Sequence, residues 1–245
     1  MINGLKKLSS LEYPGRLIIL GKDLSGSHVV VVYAVTGRSP SSQARKIITK
    51  QNGAWVEPFD EMTLKKGNVD LLVYPAIQIS KGIAVSNGKH TSAIRDCLAQ
   101  HKNPVEVLSN ALENWDFEPD APNYTPRISG CVIKPEKAAL SIIKRASNGL
   151  SQKNYYEISF IEGKGKMIAT YTGENFNPLP SFEGEPFDVD LKENSAEETA
   201  EAVYKALSPK KHEKDFRVSV AVLFADTTKF EKYAINVINR HDRKE

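Results

Sequence analysis

The sequence has few cysteines, no long apolar run and no large excess of charge of either sign. Two cysteines, Cys97 and Cys131, are too few for a disulfide framework or a cysteine-rich zinc site. The longest apolar stretches, such as 29–35, have the length of strands and fall well short of the roughly 20 residues that cross a bilayer. The N-terminal segment has no apolar core of a secretory signal. We therefore expect a soluble, cytoplasmic protein with reduced thiols and no membrane partner.

Several motifs of cofactor, metal and nucleic-acid chemistry are also missing. No glycine-rich phosphate or dinucleotide loop follows a strand, and no HExxH pair occurs. The five histidines have no companion at the helical spacing of metal ligands. The net charge of +3 and the pI of about 8.7 are low for a dedicated nucleic-acid-binding domain. The sequence predicts no cofactor, no metal and no nucleic-acid partner.

The first half of the chain shows β-rich runs followed by helical spacing. Two antiparallel hairpins are expected, 16–21 with 28–37 and 69–79 with 82–88. Pro75, inside the third of these strands, indicates a sheet edge or a bulge. Two helices are expected next, at 90–101 and 104–115.

The second half of the chain has the same division into strands and then a helix. Four short segments between 127 and 173 predict a meander, although 138–146 fits a helix equally well. Segment 174–194 shows neither period and contains three prolines, so we expect a functional loop that lines or covers a cleft. A capping box formed by Ser195 and Glu198 begins a helix. Strands at 216–225 and 232–239 end the pattern.

The order of these elements predicts the fold class. Strands and helices do not alternate singly, which argues against a doubly wound parallel sheet. No linker or repeat divides the 245 residues. The sequence therefore predicts one antiparallel α+β domain over 1–245, with two sheets stacked face to face and helices outside them. We expect eight to ten strands and two or three helices.

The first candidate functional segment is the loop 37–45, which begins where a strand ends. Arg38 and Arg45 lie there among small and hydroxyl residues that include Ser39. Two guanidinium groups and several hydroxyls can bind a phosphate dianion through paired hydrogen bonds. A surface loop without function is the alternative interpretation.

The second candidate segment, 86–91, joins a strand to a helix. It contains Asn87, Gly88 and His90. Backbone N–H groups at the beginning of a helix favour anionic ligands. A simple turn followed by a helix cap explains the same residues.

The third candidate segment, 115–127, places three carboxylates before an arginine. They are Asp116, Glu118 and Asp120, followed by Thr125 and Arg127. Carboxylates in such a position can serve in general acid–base catalysis. An ordinary connection from helix to strand is the alternative.

Taken in chain order, five short motifs resemble those of the archaeal-type IMP cyclohydrolase family. They are Tyr13-x-Gly15-Arg16, Arg38-Ser39 with Arg45, Ser86-Asn87-Gly88-x-His90-Thr91, Thr125-Pro126-Arg127-Ile128 and Asn239-Arg240-His241. The resemblance runs from about Tyr13 to His241 and leaves 1–12 as an N-terminal extension. It implies a fold like that of N-terminal nucleophile hydrolases, a four-layer αββα sandwich, without the self-processed nucleophile of that fold.

The resemblance also implies a reaction and its partners. The substrate would be 5-formamidoimidazole-4-carboxamide ribonucleotide, closed to IMP with loss of water in the last step of de novo purine biosynthesis. The reaction needs no redox centre or group carrier, which agrees with the missing cofactor motifs. A cytoplasmic homo-oligomer acting on a small purine nucleotide is implied. A non-catalytic or divergent purine-nucleotide-binding protein that uses the same cleft is the alternative.

The resemblance assigns roles to single residues. Tyr74 matches an active-site position and would donate to the oxyanion, while Glu118, with Asp116 and Asp120 as rivals, would handle the amide proton. The implied catalytic set is Tyr74, Glu118 and Arg38, and the implied substrate-binding set is Arg38, Ser39, Arg45, Asn87, Gly88, His90, Thr125 and Arg127. The chain departs from the family pattern at two positions. Pro75 stands where the family has asparagine, and Gln78 stands where it has arginine.

Overall fold

Two antiparallel sheets and their connecting helices make up the computed structural model, which describes residues 4–134, 137–211 and 213–243. The strands are β1 Arg16–Lys22, β2 His28–Thr36, β3 Arg45–Lys50, β4 Gly53–Pro58, β5 Tyr74–Ile79, β6 Ile83–Ser86, β7 Arg127–Lys134, β8 Lys137–Arg145, β9 Ser151–Ser159, β10 Lys164–Ala169, β11 Phe187–Asp190, β12 Arg217–Asp226 and β13 Tyr233–Asn239. The helices are α1 Gly4–Leu8, α2 Pro40–Gln43, α3 Glu61–Leu64, α4 Val69–Leu72, α5 His90–Cys97, α6 Pro104–Ala111 and α7 Ala196–Ala206, and a 3-10 turn covers Arg240–Asp242.

The sheets contain six and seven strands and share one hydrophobic core. The first sheet has the order β11-β10-β1-β2-β12-β13 and the second has the order β3-β4-β5-β6-β7-β8-β9. Strand β2 is buried at every position except His28, as expected of a central strand with both faces covered. Buried apolar residues of both sheets belong to one core cluster, which includes Val31 of β2 and Ile77 of β5. The prediction of two stacked antiparallel sheets is confirmed.

Helices pack against both sheets. A separate apolar cluster joins α5 and α6 to the second sheet through residues such as Ile94, Leu108 and Cys131. Helix α7 begins at the predicted cap Ser195, whose side chain accepts from the Glu198 backbone N–H, while the Glu198 carboxylate accepts from the Asn194 N–H instead of the Ser195 N–H of a full capping box. It packs against β12 and β13 of the first sheet. No helix in the described ranges is both long enough and apolar enough to span a membrane.

Both predicted hairpins form, and the structure corrects the beginning of the second. Residues 69–72 form the helical turn α4 instead of a strand, because the Asn68 side chain accepts from the Asp70 N–H and caps the turn. Strand β5 begins only at Tyr74. It lies inside the second sheet, so an edge position for Pro75 is wrong. The alternative bulge is confirmed by a register shift against β4, where Trp55 pairs with Pro75 and Ala54 with Ile77.

The remaining differences are added or reassigned elements. Strands β3 and β4 are not expected from the sequence, because both segments mix apolar and polar residues without a clear alternation. The meander is confirmed for β7, β8 and β9, and 138–146 is mainly strand; β10 instead crosses to the first sheet. Segment 174–194 contains the short strand β11. The count of eight to ten strands and two or three helices was therefore too low, since one-turn helices and short strands carry little periodic signal.

Candidate active site

A polar cavity of about 260 Å³ lies where β1 begins and β2 and β10 end. Its lining comes from the segments before β1, around α2, before α4, before β7 and after β10. The lining residues are Tyr13, Arg16, Arg38, Ser39, Ser41, Ser42, Arg45, Gly67, Asn68, Leu71, Leu72, Glu118, Asp120, Asn123, Thr125, Tyr171 and Leu179. Of the residues expected from the sequence, Arg38, Ser39, Arg45, Glu118 and Thr125 line it.

The basic loop folds into a capped helical turn instead of an open loop. The Ser39 side chain accepts from the Ser42 N–H at 3.2 Å, and the Ser39 N–H donates to the Ser42 hydroxyl at 3.0 Å. Pro40 occupies the first helical position, where its missing N–H costs nothing. Residues Ser39, Ser41 and Ser42 of this turn line the cavity and form one wall of it, and the Ser42 hydroxyl itself donates to the Ser39 carbonyl at 2.9 Å.

Arg45 is a buried guanidinium group on the same wall. Its side chain is 1% exposed; Nε donates to the Ser42 carbonyl at 2.7 Å and Nη2 to the Thr36 carbonyl at 3.4 Å. Its Nη1 has no hydrogen-bond partner among the described residues. Because a buried charged donor without a partner is costly, an anion in the cavity would gain from this group.

Arg38 connects the basic loop to the segment after β10. Its Nη1 donates to the Phe176 carbonyl at 2.8 Å and to Asn175 Oδ1 at 3.3 Å. Leu179 of the same segment lines the cavity, and its N–H donates to Asn123 Oδ1 at 3.1 Å. The expectation that this segment lines a cleft is confirmed for Leu179.

Glu118 is the buried carboxylate of the cavity. It is 2% exposed, and its Oε1 accepts from Arg16 Nη2 at 2.6 Å and from Asn87 Nδ2 at 3.3 Å. Asn87 is held in turn by the Ile128 N–H and the Pro126 carbonyl. Burial raises the pKa of Glu118 above its usual range, and the nearby Arg16 guanidinium opposes that rise. A carboxylate with a raised pKa is a stronger base than an exposed one and can accept and return a proton during a reaction.

The two rival carboxylates are placed differently. Asp120 lines the cavity, but it accepts from both the backbone N–H (2.6 Å) and the hydroxyl of Thr125. Asp116 is exposed, lies outside the lining and accepts from the Ser151 hydroxyl at 2.7 Å. Glu118 is therefore the carboxylate both buried in the cavity and paired with a guanidinium group.

Tyr74 lies between the sheets and does not line the cavity. Its hydroxyl is 2.8 Å from the Tyr33 hydroxyl of the opposite sheet, and both rings are buried. Burial raises the pKa of Tyr33 well above its usual range. Gln78, one of the departures from the family pattern, is directed to α5, where its Oε1 accepts from the Ser92 hydroxyl at 3.1 Å. Gln78 itself is therefore not part of the cavity lining.

Gly88, His90 and Arg127 lie behind Glu118, outside the lining. Arg127 Nε donates to the Asp116 carbonyl at 2.7 Å, and its guanidinium carbon is 5.1 Å from the centre of the Trp115 ring. A Cβ at Gly88 would lie 2.9 Å from both Arg127 Nη1 and His90 Nδ1, so a larger residue there would require these side chains to shift. Of these three residues, Arg127 interacts electrostatically with Glu118, and none of the three lines the cavity.

His90 predicts a specific loss of stability in acid. Burial, with Arg127 nearby, lowers the pKa of His90 from 6.5 to about 3, so the folded protein holds it neutral. Below pH 6.5 the unfolded chain binds a proton at this histidine, whereas the folded protein does not. The free energy of unfolding therefore decreases as the pH falls. Between pH 7.5 and 5 this costs about 2 kcal/mol. Urea unfolding of the wild type and of His90→Asn at both pH values should show that extra loss only in the wild type; parallel losses would contradict the assignment.

Sequence reasoning gave no role to three groups that the structure places in the cavity. Arg16 belongs to the first motif of the resemblance, and only the fold shows its contact with Glu118. Tyr171 joins its hydroxyl to that of Thr125 at 2.6 Å and stacks on Tyr13. Asn123 lies within the third candidate segment, 115–127, but the sequence gave it no role of its own. Across the described part of the chain, no cluster of three or more His, Cys, Asp or Glu residues is arranged to hold a metal ion.

Comparison with known proteins identifies the family of this chain. The model of a family described as IMP cyclohydrolase-like protein matches residues 13–229. An IMP cyclohydrolase of Methanothrix thermoacetophila is 31% identical over 173 residues, which cover 70% of this chain and 80% of that relative. An IMP cyclohydrolase of Halobacterium salinarum is 31% identical over 136 residues, 55% of this chain and 63% of that relative, so the match spans less than two thirds of its length. With the family match spanning most of its length, the chain belongs to the IMP cyclohydrolase-like protein family.

Proposed function

We propose that this protein is an IMP cyclohydrolase, which closes 5-formamidoimidazole-4-carboxamide ribonucleotide to IMP with loss of water. One observation carries the proposal: a single cavity is lined both by the guanidinium groups of Arg38 and Arg45 and by the Arg16–Glu118 pair. The first pair suits a phosphate and the second suits proton transfer. The family match and the names of the relatives support the same reaction.

The nucleotide phosphate is assigned to the wall formed by α2 and Arg45. Arg45 Nη1 offers a donor without a partner in the described chain, and Ser39, Ser41 and Ser42 line the same cavity. Arg38 offers a second guanidinium group at the same wall. Charge-assisted hydrogen bonds of this kind contribute about 1.5–3 kcal/mol each.

The ring closure is assigned to Glu118 and Arg16. The carboxamide nitrogen of the substrate forms a bond to the formyl carbon and gives up one proton, which Glu118 accepts. The formyl oxygen becomes an oxyanion, then leaves as water with that proton and the proton of the former formamide nitrogen. Arg16 lines the cavity beside Glu118 and can stabilise the negative charge while it develops.

Tyr74 acts indirectly in the proposed reaction. Its hydroxyl is 2.8 Å from that of Tyr33, and neither phenol is in the cavity lining. Both phenols interact electrostatically with the Arg16 guanidinium group, which is itself in the lining. Tyr74 therefore acts on the oxyanion through Arg16, and Asn87 and Arg127 act through Glu118.

We also propose a domain organisation, a fold and an assembly for this protein. We assign residues 1–245 to one domain with the four-layer αββα sandwich of the N-terminal nucleophile hydrolases. The packing of α5 and α6 on one sheet and of α7 on the other supports this assignment. The proposal also includes a cytoplasmic homo-oligomer that uses no cofactor and binds no nucleic acid, as the family resemblance implies.

The direct test of the function is turnover of the formamido ribonucleotide. Purified protein in buffer with EDTA should increase the absorbance of the inosine ring, and chromatography should identify the product as IMP. Heat-unfolded protein gives the uncatalysed rate. Formation of IMP at that rate would overturn the proposed reaction, and tight binding of IMP without turnover would favour a nucleotide-binding protein.

Arg38 predicts a selective effect on substrate affinity. Arg38→Ala removes a guanidinium group from the phosphate wall and its link to the Phe176 carbonyl. The KM for the ribonucleotide should rise by about tenfold or more, with kcat changed only a few-fold, because the loss falls on binding. Arg95→Ala, which removes an arginine paired with the adjacent Asp96, is the matched control. An unchanged KM in Arg38→Ala would remove this residue from the phosphate site.

A further inference from the structure

The closing motif Asn239-Arg240-His241 lies outside the cavity, yet it contacts the segment that forms the phosphate wall. His241 Nε2 is 2.9 Å from the carbonyl oxygen of Gln43, the last residue of α2. Because a carbonyl oxygen only accepts, the imidazole donates through Nε2. The imidazole ring also stacks on Phe59, with ring centres 3.9 Å apart and planes within 3°.

The position of α2 depends on such polar contacts. The helix has four residues, and none of them is buried, so apolar packing does not fix its direction. Three successive carbonyls at its end are each bound by a group outside it. Arg45 Nε binds the Ser42 carbonyl, His241 binds the Gln43 carbonyl, and the Phe59 N–H binds the Ala44 carbonyl at 2.8 Å.

The end of the chain is itself fixed to the second sheet. The Asn239 side chain accepts from the Ile47 N–H at 2.8 Å and donates to the Ile47 carbonyl at 3.1 Å, so it pairs with β3 as another strand would. The Ser219 hydroxyl donates to the same Asn239 oxygen at 2.7 Å. The contacts of Asn239 therefore fix the position from which the His241 side chain reaches the Gln43 carbonyl.

We propose that His241 is a positioning residue for the anion site: it binds the end of α2 and thereby holds the Ser39–Ser42 wall around the nucleotide phosphate. This inference rests on the proposed function, since it concerns the same site. It predicts that His241 controls the affinity for the phosphate group and leaves the ring-closure step at Glu118 largely unchanged.

Two substitutions separate the contacts of His241. His241→Phe keeps an aromatic ring for Phe59 and loses the donor to Gln43. His241→Gln keeps an N–H donor and loses the ring. His101→Phe applies the same change to a histidine outside the cavity, which contacts Asn110 and Glu106.

The expected result is an effect on binding alone. His241→Phe should raise KM about tenfold, the size expected for one lost hydrogen bond, with kcat within twofold of wild type. The inhibition constant of inorganic phosphate should rise by the same factor. His241→Gln should recover most of the affinity, and His101→Phe should behave as wild type.

Other outcomes would overturn the inference. A fall in kcat with unchanged KM, an unchanged phosphate inhibition constant, or an equal effect of His101→Phe would each contradict a positioning role. If the wild type forms no IMP, the proposed function fails separately. Calorimetric titration of inorganic phosphate and of IMP into the wild type and His241→Phe then decides the inference, which requires weaker binding by the variant.

Discussion

Glu118→Gln should lower kcat for ring closure by about 10²–10⁴-fold, the range expected for loss of a general base. The amide keeps the size of the side chain and can still accept from Arg16, but it cannot take the proton of the carboxamide nitrogen. Because Glu118 lines the cavity but does not bind the substrate phosphate in this proposal, KM should change only a few-fold. Steady-state kinetics with the formamido ribonucleotide measure both constants.

The matched control is Asp116→Asn, the same chemical change at an exposed carboxylate outside the lining. It should leave kcat within about twofold of wild type, as for a surface substitution. The pH profile adds a second readout. Because burial raises the pKa of Glu118, kcat/KM should decline with falling pH at a higher pH than for an exposed glutamate, and Glu118→Gln should lose that decline. Full activity of Glu118→Gln would transfer the role to Asp120.

Arg16→Met should destabilise the protein by about 3–5 kcal/mol at pH 8, in addition to abolishing most activity. Arg16 donates at 2.6 Å to Glu118, and both side chains are nearly buried. Removing the guanidinium group leaves a buried carboxylate without its counter-charge. Without Arg16, the pKa of Glu118 would rise further. In the unfolded chain at pH 8 this glutamate is ionised, so folding would have to bury an unpaired charge or protonate it, and either one lowers the free energy of unfolding.

The sign of the pH dependence follows from that argument. As pH falls through the raised pKa, the carboxyl group of the variant becomes neutral and the destabilisation should shrink. Urea unfolding of Arg16→Met at pH 8 and pH 5 tests this, and the double variant Arg16→Met/Glu118→Gln should recover stability at pH 8. An equal loss at both pH values, or no recovery in the double variant, would contradict a charge-based role of the pair.

The central strands could be predicted because their burial leaves a direct signal in the sequence. The apolar run of β2 and the turn before it predict the hairpin with β1, and the antiparallel register agrees. Strand β3 gave no such signal, because its lysines alternate with only a few buried positions. Strand β10 was expected in the meander but pairs with β1 in the first sheet, since the short connection 160–163 is equally suited to a hairpin and to a crossing between sheets.

The parts of the site that lie within one short segment of the chain could be predicted from the sequence. The basic loop with Arg38 and Arg45 and the carboxylate segment with Glu118 were expected, and the fold places them in one cavity. The pairing of Arg16 with Glu118 was not predictable, because 102 positions separate them in the chain. The position of Tyr74 behind the cavity likewise depends on how the two sheets stack.

The most direct test of the account is a crystal structure of the protein with IMP. The account predicts the phosphate within hydrogen-bond distance of Arg45 Nη1 and of the Ser39–Ser42 hydroxyls, with the purine ring beside Glu118 and Arg16. A nucleotide bound elsewhere, or a phosphate turned away from Arg45, would contradict the assignment of this cavity as the active site.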